Sequence, residues 1–126
     1  MKKNIKSDEA PQTIGPYSQG IIAGKLVFLS GQIPLDKSGN IVSQNIEDQT
    51  KQCLINIENI LKETGLSKND IIKTTIFLKD MNDFSKVNEV YKKFFEATIF
   101  PSRSTVEVSR LPKDVKVEIE AIAYKS

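Results

Sequence analysis

Three side chains of this chain are the best placed to do chemistry: Arg103, just behind Pro101 and at the mouth of a β-branched run, and Glu118 and Glu120, alternating within a later apolar run. A planar guanidinium grips a carboxylate through two parallel hydrogen bonds, which orients the ligand as well as binding it. A carboxylate on a neighbouring strand can steer a water molecule. The rest of the composition narrows the chemistry further, because the chain has no histidine, no tryptophan and a single cysteine, Cys53. An imidazole base and a thiol–imidazole pair are therefore both missing, and zinc has no ligand set. No calcium-loop spacing of acids and no phosphate-cradling glycine loop occurs either.

Pattern alone leaves competing readings of these residues. Arg103 is either a carboxylate clamp or the partner of Glu107 or Glu118 in a structural ion pair. Glu118 and Glu120 share one strand face, because side chains alternate with a period of two. That face is either solvated or a subunit interface, and an interface would desolvate the carboxylates and raise their pKa toward acid–base use. Gly15-Pro16-Tyr17-Ser18-Gln19-Gly20 reads as a tight turn with Tyr17 as a packing residue. Ser30-Gly31-Gln32 is unusual inside an apolar strand, where glycine marks a bulge or a close approach to the backbone. Asn88, beside Val87 in a helical run, is a buried polar contact or an exposed position. Cys53 falls on an apolar helix stripe and reads as a small core residue.

The elements that must position these residues follow from periodicity. Residues up to Pro16 are polar and broken by Pro11, as in a loop or edge strand. Residues 21–23 and 25–33 read as a hairpin around Gly24. Residues 46–64 are helical, with Ile46, Cys53, Leu54, Ile57, Ile60 and Leu61 on one stripe, Asn45 as N-cap and Gly65 beyond the C-terminus. Residues 70–79 turn β-branched and aromatic. A second helix covers 84–97, capped by Asn82 or Asp83 and blocked by Pro101. Strands at 104–108 and 115–124 close the chain. The order β, β, α, β, α, β, β predicts an α+β domain with two helices on one sheet.

Two helices cover only one face of such a sheet, yet the strands are apolar on both. Leu26 and Phe28 oppose Val27, Leu29 and Ile33; Ile72, Ile76 and Leu78 oppose Ile71, Thr75 and Phe77. A second copy of the chain is the simplest cover for the other face. With 126 residues, 39% apolar and 27% charged, the chain is expected to form one domain spanning 1–126. No apolar run approaches the ~18 residues of a membrane span. The basic start lacks an apolar h-region and the lone cysteine gives no disulfide, so a cytoplasmic protein without membrane contact is expected. A net charge of +2, with Lys92-Lys93, Lys113 and Lys116 as the only basic hints, argues against a nucleic-acid partner.

Several separated motifs in order make the chain resemble the RidA/YjgF family of reactive-intermediate deaminases, formerly described as translation inhibitors or endoribonucleases. They are Ile14-Gly15-Pro16-Tyr17-Ser18-Gln19-Gly20, Ser30-Gly31-Gln32-Ile33-Pro34, Val87-Asn88, Pro101-Ser102-Arg103-Ser104, and Leu111-Pro112-Lys113-Asp114-Val115-Lys116-Val117-Glu118-Ile119-Glu120-Ala121. The resemblance covers nearly the whole length. It implies a chorismate-mutase-like mixed sheet with two helices on one face, assembled as a homotrimer with clefts between subunits. It also implies hydrolysis of 2-imino and 2-enamino acids, shed by pyridoxal-phosphate dehydratases, to 2-oxo acids and ammonia, with neither cofactor nor metal.

Carried over by position, Arg103 holds the substrate carboxylate and Glu118 positions or activates water. Tyr17, Ser30, Gly31, Asn88 and Thr105 line the cleft, with backbone groups of Gly31 and Thr105 touching ligand or water. Thr105 stands where many deaminases of the family carry cysteine, and the segment between Phe95 and Phe100 looks short. The reaction needs no thiolate. An iminium carbon is already electrophilic, so an oriented carboxylate and one placed water suffice to lower a modest barrier.

Overall fold

Glycines and caps set the ends of the elements in a computed structural model that describes residues 1–126. The strands are β1 (Lys2–Ile5), β2 (Gly20–Ala23), β3 (Leu26–Gln32), β4 (Ile71–Leu78), β5 (Ser102–Glu107) and β6 (Val117–Tyr124), and the helices are α1 (Ile46–Lys62) and α2 (Phe84–Phe95). Gly24, at φ 62°, makes the β2–β3 turn, where a side chain would strain the backbone. The Asn45 side chain accepts from the Asp48 N–H at 3.0 Å, capping α1. At the other end Gly65 has φ 77° and the Leu66 N–H returns to the Leu61 carbonyl.

One six-stranded sheet results, in the order β1-β2-β3-β6-β4-β5. All neighbours run antiparallel except β4 and β5, which are parallel and joined through α2. The expected α+β architecture with two helices on one face is therefore present, with one strand more than the sequence predicts. The polar leader supplies it: β1 pairs with β2 as an edge strand, its lysines discouraging further pairing. Asp83 makes no side-chain cap to α2, and Asp80 instead caps the short turn before it. No helix is long and apolar enough to cross a membrane.

The core lies between the helices and one sheet face. All six predicted stripe residues of α1 are buried, and beneath them lie Val117, Ile119, Ala121 and Ala123 of β6. Fully burying aliphatic side chains of this kind contributes about 1.5–3 kcal/mol each. Cys53 is completely buried, and desolvation pushes its thiol well above its ordinary value. In β4 the alternation slips: Ile71 is buried and Ile72 is exposed, the reverse of simple period-two reading. A register shift between Ile71 and Lys73 against β6 is the cause.

The second face stays open. Leu26 pairs with Tyr124, Phe28 with Ile122 and Phe77 with Val106, so these side chains form one surface. Leu26, Phe28, Val106 and Tyr124 are each 37–42% exposed there.

Candidate functional site

Glu118 sits on β6 between buried Val117 and Ile119, so strand alternation turns it to the open face. Its neighbour on β3 is the Ser30-Gly31 segment, where the β3–β6 register shifts. A Cβ on Gly31 would lie 2.8 Å from the Glu118 carboxyl carbon and 3.0 Å from its Cγ. Gly31 is thus the residue that lets the carboxylate lie against the β3 backbone. This close approach is a matter of space, since the Gly31 backbone is not in the left-handed region.

Buried amides hold the surrounding loops. Gln19 accepts from the Ser7 N–H and donates to the carbonyls of Ser7 and Pro11, fixing the turn that carries Tyr17. Asn56 of α1 donates to the carbonyls of Ile33 and Leu35, fixing the exit from β3. The Ser30 hydroxyl donates to the Ser18 carbonyl at 2.6 Å, tying strand to turn. Together they shape a cleft of about 400 Å³ lined by Tyr17, Ser30, Gly31, Pro112, Glu118 and Glu120, within the range of small-molecule sites. Glu118 is raised above the usual carboxylate range, first by desolvation and then by the Glu120 charge. Glu120 lines the same cleft, as its place two residues along the same strand face led one to expect.

Arg103 occupies a different place. It pairs in register with Thr74, and Thr105 pairs with Ile76, while Glu118 pairs with Phe77 on the same strand. Thr74 and Ile76 are buried under the helices, so Arg103 and Thr105 lie on the helix side of the sheet and Glu118 on the other. Its guanidinium carbon stands 4.9 Å from the Tyr91 ring and 5.6 Å from the Phe84 ring. Arg103 and Tyr91, with Asn88, Glu89, Lys92, Phe100 and Pro101, line a second cleft of about 320 Å³. Neither ion pair left open by the sequence forms: the salt bridges are Lys37–Glu9 and Arg110–Asp114, and Glu107 accepts from the Met81 N–H instead.

One chain thus carries two separate clefts. Tyr17, Ser30, Gly31 and Glu118 gather in the first; Asn88 and Arg103 gather in the second, with Thr105 one strand step beyond. Tyr91, in the lining of the second, and Phe84, beside its guanidinium, are not singled out by the sequence. Their helical spacing around Asn88 is the signal that could have joined all three to Arg103.

The endoribonuclease L-PSP family model matches residues 7–125. A RutC family protein of Pyrococcus horikoshii is 59% identical over 126 residues, covering 99% of each chain. The 2-iminobutanoate/2-iminopropanoate deaminase of Salmonella typhimurium is 50% identical over 127 residues, again 99% of each. Among solved structures, Escherichia coli TdcF with bound serine superposes with a TM-score of 0.95 at 50% identity, covering 98% of this chain and 99% of that one.

Proposed function

Because the chain belongs to the RidA/YjgF family, we propose that it is a hydrolytic deaminase converting reactive 2-imino and 2-enamino acids, of the kind released by pyridoxal-phosphate dehydratases, to 2-oxo acids and ammonia. The observation that carries this reading is 50% identity, over 99% of both chains, to a protein named for that reaction. The geometry fits it, provided that the site is built from two copies of the chain. Arg103 and Glu118 stand on opposite sheet faces, and the open apolar face calls for a cover. In the proposed homotrimer, Arg103 of one subunit and Glu118 of the next face each other across an inter-subunit cleft.

Arg103, free of any salt bridge, grips the substrate carboxylate with its fork. An enamine first takes a proton from solvent at its β-carbon to give the iminium. Glu118, poorly solvated and with its carboxyl raised above the ordinary range, holds a water and takes its proton as the oxygen bonds to the iminium carbon. The resulting carbinolamine receives that proton on nitrogen; as the C–N bond breaks and ammonia leaves, the hydroxyl gives its proton to Glu118 and its oxygen closes the C=O of the 2-oxo acid. Tyr17 and Ser30 line the water side, and backbone groups of Gly31 and Thr105 complete the contacts.

The test is a dehydratase reaction run with semicarbazide as imine trap. The protein should speed 2-oxo acid release and lower trapped imine, and Arg103→Ala and Glu118→Gln should each abolish this. Refolding the two inactive variants together should recover roughly a quarter of wild-type activity, the random share of clefts with both native residues. No activity in the wild type sinks the deaminase reading, and no recovery on mixing sinks the shared cleft. The bound serine in TdcF also suits a purely ligand-binding protein. That reading wins if Glu118→Gln binds pyruvate and the wild type turns over no imine. The family model's endoribonuclease name makes RNA the remaining candidate, ruled out by binding that stays weak and flat across a salt series.

A further inference from the structure

Two polar atoms in the Arg103 half-site are buried without any hydrogen-bond partner: Asn88 Oδ1 and Thr105 Oγ1. Buried amide and hydroxyl groups almost always find partners, so such exceptions concentrate where the structure serves function. Asn88 lies one turn from both Phe84 and Tyr91 on α2, and the rings of those two residues flank the Arg103 guanidinium. Arg103 carries five N–H donors and spends none of them on a protein acceptor. An acceptor without a donor therefore lies beside a donor set without an acceptor. Because Asn88 Oδ1 is sealed from solvent, a ligand cannot reach it directly; the guanidinium is the group that can.

We infer that Asn88 is a positioning residue for Arg103, accepting one guanidinium N–H when a carboxylate is bound and thereby aiming the rest of the fork at the ligand. In the free chain the cation rests on the aromatic faces, which hold it near the cleft without fixing its rotation. A carboxylate draws the fork off the rings, and the Asn88 carbonyl supplies a fixed second anchor. The free state bears an unsatisfied amide, so this arrangement exchanges stability for ligand orientation. The inference rests on the deaminase reading for its ligand class, yet its test needs only carboxylate binding.

The experiment measures pyruvate affinity by calorimetry, alongside thermal unfolding, for wild type and Asn88→Leu. Leucine keeps the size and removes the acceptor. Pyruvate should bind roughly tenfold more weakly, the scale of one hydrogen bond to a charged group, while the melting temperature stays equal or rises. The smaller variant Asn88→Ser, which keeps an acceptor, should retain more affinity than Asn88→Leu; if leucine does not fold, Asn88→Ala, which also lacks the acceptor, replaces it in the comparison with wild type. In imine hydrolysis KM should rise more than kcat falls. Unchanged pyruvate affinity in a folded variant, or a lowered melting temperature with unchanged affinity, overturns the positioning role. Absence of imine turnover by the wild type would reject the deaminase reading and leave the affinity comparison standing.

Discussion

Replacing Gly31 by alanine should cost activity and leave the fold intact. The added Cβ would lie 2.8 Å from the Glu118 carboxyl carbon, where ordinary contacts begin at 3.4 Å, so the carboxylate must retreat by about half an ångström or more. The clash is with the free end of a flexible side chain, and the Gly31 backbone suits any residue. Glu118 therefore swings away rather than β3 breaking. The stability change should stay within about 1 kcal/mol, with the lower unfolded-state entropy of alanine offsetting part of the crowding. A carboxylate displaced on the ångström scale forfeits roughly 10²-fold in rate, or about 2.7 kcal/mol of barrier. Thermal unfolding and the semicarbazide-coupled imine assay measure the two quantities separately. In a double-mutant cycle, Gly31→Ala added to Glu118→Gln should cost almost nothing more, because the carboxylate it displaces is already gone. Full wild-type activity in Gly31→Ala would refute the claim that this glycine exists to seat Glu118.

Glu118 also sets a pH dependence. Its folded pKa is raised above the ordinary 4.5, so the native state binds its proton more tightly than the unfolded chain. The associated stability is present below the unfolded value and is lost as pH rises through the folded one. Glu118→Gln should accordingly melt above wild type at pH 7, with the gap closing below about pH 4, as followed by calorimetry. The acid limb of the wild-type rate should lie above that ordinary 4.5. On the open face, Phe28→Arg should leave circular dichroism unchanged, since Phe28 is 42% exposed in the single chain. Sedimentation should show it reduced to monomers and the imine assay should show it inactive; an active monomer would contradict a cleft shared between subunits.

Much of this was legible from local pattern. The stripe of α1, its Asn45 cap and the Gly24 and Gly65 turns depend on neighbours in sequence, and each stands where periodicity and backbone preference put it. Period two alone turned Glu118 and Glu120 away from the core. Gly31 marked the irregularity in β3, but the one in β4 left no such sign. The shift at Ile71–Lys73 exchanged the faces of Ile71 and Ile72, because one unpaired residue reverses alternation and nothing in its chemistry announces it.

What the sequence by itself determined is which residue types the chain can offer a site: an arginine without a histidine to help it, glutamates on one strand face, and a glycine inside an apolar strand. Only the tertiary structure decided where they stand relative to one another. Arg103 and Glu118 fall on opposite faces because the register sets them beside Thr74 and Phe77 of β4, an odd number of residues apart. Strand order and register are set by long-range packing, which local periodicity does not encode. The same packing brought the unpartnered Asn88 carbonyl and an unpartnered guanidinium into one cleft, and it left the Arg103 and Glu118 clefts on opposite faces of the sheet.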